Sequence, residues 1–289
     1  MAKFDLHLHS NNSDGSESVQ ELAKKIAEAK LEIVALTDHD TVSGISEMRD
    51  LLPDNIKFIP SVELTCKAKD IKCHILGYNI DEKNPDLINL IENGKRLRRI
   101  KLETRIKFLK DVWNIELSQD ELNWLYSRKS VVKTHIANIL VNRGLAKNNI
   151  EAMEKYLDGC KTGNTRFDGE EAIKTIKKSG GIAVWAHPIG GEGEVHISQT
   201  EFLEKLKTMI SCGIQGLECF YSRYSNSEIS FLRKCAIENG LFITGGSDYH
   251  GTNKTVIFGQ LNINNEPVDS KELNIRLSPN GNVFPQSEY

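Results

Sequence analysis

Two hydrophobic periodicities alternate along the chain. Residues 4–9 (FDLHLH) and 33–39 (IVALTDH) are short β-rich runs that end in polar residues, and 18–30 between them places apolar residues at helical spacing. Ser18 followed three positions on by Glu21 predicts a capping box at the start of that helix. A second helix is predicted over 41–52, then two strands over 57–66 and 72–79 with little between them. From about Asn84 to Thr165 the pattern is basic and helical. A long amphipathic run covers 87–112, shorter helices cover 133–144 and 148–159, and no strand signal interrupts them. Alternation then resumes as helix 170–181 and strand 182–188, helix 201–213 and strand 214–220, helix 226–240 and strand 241–250. Each of these helices ends at a glycine, as a C-cap requires. The tail after Asn262 is polar and weakly patterned, which predicts a surface extension.

Repeated strand–helix units of this length favour a closed parallel barrel or an open doubly wound sheet. The pattern divides the chain into 1–83, the first part of an α/β barrel; 84–165, a helical insertion over the substrate site; and 166–289, the second part with a C-terminal extension. The length of 289 residues suits one large barrel with an insertion. Hydrophobic residues at 39% and charged residues at 27% exclude a largely disordered chain. A formal charge of −3 supplies no whole-surface field for nucleic acid or anionic lipid, so an anionic partner needs a local positive site. The opening MAKFDLHLHS has no apolar leader-like core and no stretch is long enough to span a membrane, so cytoplasm is the expected location, with no membrane and no obligate protein partner. The six cysteines, without a C-x-x-C pair, are expected as reduced, small core residues.

The histidines change the picture. His7 and His9 are two apart in a strand and therefore face one side together. Paired imidazoles are poor core material and good first-row metal ligands. Asp14 follows in a flexible loop. His39 ends the next strand between Asp38 and Asp40, Glu63 interrupts a β-rich run, His74 lies in the strand after it, His187 ends IAVWAHP, and Asp248 and His250 end LFITGGSDYH. The strands of a parallel barrel collect their C-terminal ends on one rim, so these groups converge. Six imidazoles and three carboxylates exceed what one ion takes, which predicts two or three divalent ions sharing a bridging carboxylate. The nitrogen and oxygen set suits Mn²⁺, Fe²⁺ or Zn²⁺, and the lack of thiolate disfavours a structural zinc site.

The ordered motifs DLHLHS, TDHD, a glutamate in the third strand, a histidine in the fourth, AHP and GGSDYHG resemble the PHP family, the polymerase-and-histidinol-phosphatase superfamily of metal-dependent phosphoesterases. They cover both flanks of the chain and fill all nine ligand positions. The resemblance implies a distorted (β/α)7 barrel with a helical insertion subdomain and a trinuclear site. His7, His9, Glu63 and Asp248 would hold one ion, Glu63, His74 and His187 a second, and Asp14, His39 and His250 a third. His39, Glu63, Asp248 and His250 stand at the implied catalytic centre. The expected reaction is hydrolysis of a phosphate ester by metal-bound hydroxide, in line with the leaving oxygen and without a covalent intermediate.

The insert resembles that of the subgroup that dephosphorylates 3′,5′-nucleoside bisphosphates or trims RNA from the 5′ end. Lys133 and His135 in VVKTHIANIL match a phosphate-binding segment of that subgroup, with lysine where it carries arginine. Arg223 is a further anion-binding candidate. Asp5, Asp38 and Asp40 are expected behind the ligands, holding imidazoles in one tautomer. His196, in a glycine-rich loop that reads as a mobile lid, is expected at the surface, and the basic run 95–107 is expected mainly as a solvated helix face. The leading function is a phosphatase of a small phosphorylated nucleotide. The alternatives are a 5′→3′ exoribonuclease on short RNA, a histidinol phosphatase, and a non-catalytic interaction module.

Overall fold

The computed structural model describes residues 3–277 and 283–285. The order begins β1 (Phe4–Leu8), α1 (Val19–Glu28), β2 (Ile33–Leu36), α2 (Ile45–Leu51), β3 (Lys57–Ala68) and β4 (Ile71–Tyr78). Four helices follow: α3 (Pro85–Trp113), α4 (Gln119–Ser127), α5 (Lys133–Asn142) and α6 (Asn149–Tyr156). The second flank runs β5 (Phe167–Asp168), α7 (Gly169–Lys178), β6 (Ile182–Trp185), α8 (Gln199–Ser211), β7 (Gly216–Tyr221), α9 (Asn226–Glu238) and β8 (Phe242–Gly246), and a small hairpin of β9 (Ile275–Leu277) and β10 (Val283–Pro285) ends it.

The main path of the sheet is β1-β2-β3-β4-β6-β7-β8, with β5 paired beside β3. All neighbours on that path are parallel except β4, which is antiparallel to both β3 and β6. A parallel bridge between Leu8 and Tyr249 brings the last strand back to the first. There the His9 N–H donates to the Tyr249 carbonyl at 3.0 Å and the Asp248 N–H to the His7 carbonyl at 2.9 Å. The result is a distorted seven-stranded α/β barrel, whose rim at this seam carries ligand candidates from both ends of the chain.

Helices start where short polar side chains satisfy free N–H groups. Ser18 and Glu21 form the capping box, the Glu21 N–H donating to Ser18 Oγ at 3.2 Å and the Ser18 N–H to Glu21 Oε2 at 2.7 Å. Helix α2 starts later than the pattern predicts, at Ile45, because Asp40 takes a left-handed φ of 51° and residues 41–44 turn before the helix. Helix α4 was not separately legible. A second hydrophobic cluster, including Leu102, Leu109, Leu125, Ile136 and Leu140, joins α3 to α6 apart from the barrel core.

Of the tail after Asn262, the described part is mostly exposed, as its polarity predicts, but it is anchored at a few points; residues 278–282 and 286–289 lie outside the described residues. Leu261 and Leu273 are buried in the barrel core, and Val268 and Ile275 pack against it. Asn274 Oδ1 accepts from the Ile243 N–H at 2.6 Å, satisfying the start of β8. A few widely spaced apolar anchors and one amide are enough to dock a segment without any periodicity. All six cysteines are free, five of them buried. No helix among the described residues is long and apolar enough to cross a membrane.

Helix α3 has one point where it can only lie close. A Cβ on Gly94 would stand 2.1 Å from Cζ of Phe167, the β5 residue packed beneath the helix. Gly94→Ala is therefore expected to destabilise the fold by about 1–3 kcal/mol, read as a lower urea midpoint at unchanged slope.

Candidate metal centre

Strand ends deliver the site. His7 lies in β1 and His9 just beyond it, both fully enclosed and two residues apart on one face. The chain then doubles back so that Asp14 returns over the strand end. Gly15 is required there, since a Cβ would lie 2.3 Å from the His9 carbonyl oxygen. His39 follows β2 and bridges to Glu63 of β3. His74 comes from β4. His187, Asp248 and His250 follow β6 and β8, with His187 and Asp248 held at left-handed φ values of 29° and 59°. Such backbone is costly and clusters where side-chain direction matters.

Glu63 is the centre of the arrangement. Its Oε2 lies 3.2 Å from His7 Nε2, 3.2 Å from His9 Nε2 and 3.1 Å from His39 Nδ1. Its Oε1 lies 3.0 Å from His74 Nδ1 and 3.3 Å from His187 Nε2. Asp248 Oδ1 is 3.4 Å from ring nitrogens of His7, His9 and His250. Asp14 Oδ1 is 3.2 Å from His250 Nε2. Three sets have ligand atoms close enough to share an ion: His7, His9, Glu63 and Asp248; His9, Asp14, His39 and His250; and His39, Glu63 and His74. The second set of the implied partition differs, with His39 standing where His187 was expected. His187 turns its Nδ1 to Glu194 Oε2 at 2.9 Å.

The donors themselves show that they fit cations. His7 Nε2, His9 Nε2, Asp14 Oδ1, His39 Nδ1, Glu63 Oε2, His74 Nδ1 and His250 Nε2 are buried without a hydrogen-bond partner. Each unsatisfied buried polar atom costs about 1–3 kcal/mol, so seven converging on one space need a common partner. An imidazole and carboxylate set without thiolate suits a first-row divalent ion.

Electrostatics agree. Burial opposes charge on His7, yet Glu218, Glu63 and Asp248 hold its pKa well above the usual imidazole value. The same contest raises His9 to about 8 and His187 to about 10. Burial also opposes charge on Glu63, Asp14 and Asp248, but neighbouring imidazoles, with Lys254 foremost for Asp248, keep them ionised well below the normal range. Burial instead pushes His39 well below the usual imidazole value and lowers His250, so His7, His9 and His187 are the rings that favour their protons.

The supporting carboxylates act differently from the expectation that they hold imidazoles. Asp5 accepts from the Ser247 N–H at 2.9 Å, Ser247 Oγ at 2.6 Å and the Gly259 N–H at 3.1 Å. Asp38 accepts from the Ser10 N–H at 2.8 Å and Ser13 Oγ at 2.6 Å. Asp40 accepts from the Thr65 N–H at 2.7 Å and Arg98 Nε at 2.6 Å. Backbone N–H groups, hydroxyls and a guanidinium lie nearer than any ring nitrogen, so these carboxylates fix the strand ends. Two other carboxylates grip imidazoles from behind: Glu194 on His187, and Glu218, with Oε1 2.8 Å from His7 Nδ1 and Oε2 accepting the His187 backbone N–H at 2.7 Å. The signal for Glu218 was present in IQGLECF, an acidic residue inside an apolar strand, as with Glu63. Lys254 Nζ and Tyr221 Oη donate to Asp248 Oδ2 at 2.7 and 2.9 Å, and neither position carried a local signal.

A cavity of ≈ 390 Å³ opens over the cluster, with Lys133, Met153 and Arg166 on the side of the helical segment. Lys133 pairs with Asp158 at its edge. His135 is buried at the start of α5, where its Nδ1 accepts the Val132 N–H at 3.0 Å, and burial pushes it down to about 4, leaving it neutral. Arg223 is half-exposed and pairs with Glu192 at 2.9 Å. His196 lies at the surface on Glu228, 2.7 Å away.

A model of the PHP domain matches residues 5–178. A 5′-3′ exoribonuclease of Haemophilus influenzae is 29% identical over 252 residues, covering 86% of this chain and 90% of that one. A 3′,5′-nucleoside bisphosphate phosphatase of Chromobacterium violaceum is 28% identical over 254 residues, covering 86% and 88%. The solved structure of a proposed metal-dependent phosphoesterase from Bifidobacterium adolescentis superposes with a TM-score of 0.77 at 24% identity, over 91% of this chain and 93% of that one.

Two measurements test the centre. Because the raised imidazoles hold protons in the metal-free protein, metal must displace them. Loading is expected to be weaker at about pH 6 than at about pH 8, with net proton release seen by calorimetry in buffers of different ionisation enthalpy. Glu218→Gln leaves every donor of the cluster in place but removes the charge behind His7. It is expected to lower metal affinity about 10–100-fold in a competition titration.

Proposed function

The chain belongs to the PHP-domain family and is a metal-dependent phosphoesterase, and from that premise we propose that it hydrolyses a phosphate monoester of a small nucleotide. The substrate we favour is a 3′,5′-nucleoside bisphosphate, cleaved to the 5′-monophosphate and inorganic phosphate. One observation carries this reading: the cavity lined by the ligand cluster is also lined by Lys133 and Arg166. A substrate with one phosphoryl group on the cluster and another anionic group suits that lining. The phosphatase of Chromobacterium violaceum, similar over most of both chains, supports it.

Residues 84–165 are proposed as the substrate cap, between barrel portions 1–83 and 166–289. The nine candidates His7, His9, Asp14, His39, Glu63, His74, His187, Asp248 and His250 would hold two or three divalent ions, with Mn²⁺ favoured and Fe²⁺ or Zn²⁺ suited by the same donors. Bound divalent ions supply an activated water near neutral pH and neutralise charge on the phosphoryl oxygens. The protein's own part is positioning. Glu63 joins the subsites through its two oxygens. Glu218 fixes His7 from behind. Asp248 and Asp14 hold the Lys254 ammonium protonated against its burial, and its Nζ donates to Asp248 Oδ2 at 2.7 Å. Hydrolysis forms a bond from the water oxygen to phosphorus and breaks the bond to the leaving oxygen, which takes up a proton.

A 5′→3′ exoribonuclease would use the same cluster, and the 29% identity to the Haemophilus influenzae enzyme favours it as the second reading. The test is a substrate panel with Mn²⁺: adenosine 3′,5′-bisphosphate, histidinol phosphate and a 5′-phosphorylated oligoribonucleotide. The highest kcat/KM is expected on the bisphosphate. A higher value on the oligonucleotide would replace this reading with the exonuclease, and loss of metal without loss of turnover would sink both. Asp14→Ala and His39→Ala are each expected to lower kcat on the order of 10²-fold or more, with fewer ions bound per chain.

A further inference from the structure

Glu192, Glu194 and Arg223 carry charge beside the metal centre without being ligand candidates. The two acids lie in the glycine-rich loop 189–197 between β6 and α8, which reads as a lid. That loop is held at several points. Its ends meet where the Ile197 N–H donates to the Ile189 carbonyl at 3.0 Å. In its middle, Glu192 Oε1 accepts from the Thr255 N–H at 3.0 Å and from Thr255 Oγ1 at 2.6 Å, and it pairs with Arg223 at 2.9 Å. Arg223 is thus engaged by the loop, and Thr255 is the neighbour of Lys254, which donates to Asp248.

The loop so held reaches the ligands from two directions. Glu194 is exposed, and an exposed acid ordinarily faces water, yet its Oε2 turns back to Nδ1 of the buried His187 at 2.9 Å. The Gly191 N–H donates to the same oxygen at 3.0 Å and fixes it. Across the ring, His187 Nε2 lies 3.3 Å from Glu63 Oε1. An ionised carboxylate only accepts, so Glu194 places the ring hydrogen on Nδ1 and leaves Nε2 to turn a lone pair toward the centre. His7 is built alike, with Glu218 on Nδ1 and Nε2 facing Glu63 and Asp248. From the second direction, the Glu192 N–H donates at 3.0 Å to Tyr221 Oη, whose own hydrogen goes to Asp248 Oδ2 at 2.9 Å. We propose that Glu194 is a positioning residue of the metal centre, holding His187 in the direction and tautomer of an ion ligand, and that loop 189–197 is a strap kept in place for this by Glu192, Thr255 and Arg223. The proposal rests on the reading of the cluster as a divalent-metal centre and adds the strap to it.

His187 is where such control matters most. Of the nine ligand candidates it alone stands outside the three sets whose donors already lie close enough to share an ion. Its backbone sits at a left-handed φ of 29°, costly for a residue with a Cβ, and Glu218 Oε2 holds its N–H at 2.7 Å. That contact fixes the backbone and leaves the ring free to turn about its two side-chain torsions. Glu194 removes the remaining freedom from the side opposite Glu63. A second carboxylate behind an imidazole is the arrangement that orients a metal ligand and raises its basicity.

Three variants separate the roles. Glu194→Ala removes the acceptor, Glu194→Gln keeps an oxygen that can take the Nδ1 hydrogen, and Arg223→Met loosens the strap without touching either partner. In a competition titration of Mn²⁺ against a chelating indicator, Glu194→Ala should weaken one ion about 10–100-fold. Glu194→Gln should recover most of that loss, and Arg223→Met should show part of it. On 4-nitrophenyl phosphate, at Mn²⁺ that saturates the parent, Glu194→Ala should lose about tenfold or more in kcat with KM within about twofold. Unchanged Mn²⁺ affinity in Glu194→Ala overturns the positioning role, and so does a change confined to KM or a lower melting temperature alone. Loss of one ion outright from both Glu194 variants would make Glu194 a ligand in its own right, which also overturns it. A loss in Glu194→Ala with none in Arg223→Met removes the strap from the proposal. A parent that binds no divalent ion would sink the metal-centre reading along with this one, whereas a parent that binds Mn²⁺ with unaltered affinity in Glu194→Ala sinks this one alone.

Discussion

A carboxylate with no solvent exposure, surrounded by five imidazoles within 3.3 Å, is the constraint on which the rest of the structure turns. An isolated charge so placed would be expelled or protonated. Glu63 stays ionised because ring nitrogens from four other strand ends face it. That requirement fixes how the strands must meet: the rims of β1, β2, β4 and β6 are brought to one point, and the barrel is distorted to do so. The antiparallel β4 is part of that solution, since it carries His74 directly across the hairpin from Thr65, two residues beyond Glu63. Ligand direction is then locked from behind, where Glu218 holds both the His7 ring and the His187 backbone.

Among the described residues one buried ion pair ties the helical segment to this centre. Arg98 of α3 meets Asp40, the neighbour of His39, and both also bond to Thr65 of β3. A movement of α3 would therefore pull on the strand end that presents one of the ligands. The pair is enclosed, so it is less screened by salt than surface pairs. It gives the segment above the cavity one fixed pivot, with Leu87, Leu90 and Ile91 packed on the barrel core before it and Leu102 and Leu109 in the separate cluster after it.

Much of this was legible in the chain because burial leaves a period. Alternation marked the strands, helical spacing and glycine stops marked the helices, and polar residues at the ends of apolar runs marked the ligands. What a period cannot report is the partner of a charge. Asp5, Asp38 and Asp40 looked alike beside their histidines, yet each satisfies backbone or hydroxyl groups brought in from far along the sequence. Lys254 and Arg166 lie in segments without periodicity. The basic run on α3 read as a solvated face since its inner and outer cations are the same residue types. The anchoring of the tail left no mark for the same reason, because Leu273 and Asn274 dock it without any repeat.

The seam between the first and last strands has a consequence for synthesis. His7 and His9 leave the ribosome early, but the backbone bonds that orient them come from Asp248 and Tyr249, and two further ligands arrive only with those residues. A nascent chain halted before that point lacks Asp248 and His250 and has no closed rim. It can bind stray metal loosely but cannot organise it. The complete set of candidate ligands therefore exists only once residues 248–250 have been made, whatever the order in which the rest of the barrel folds.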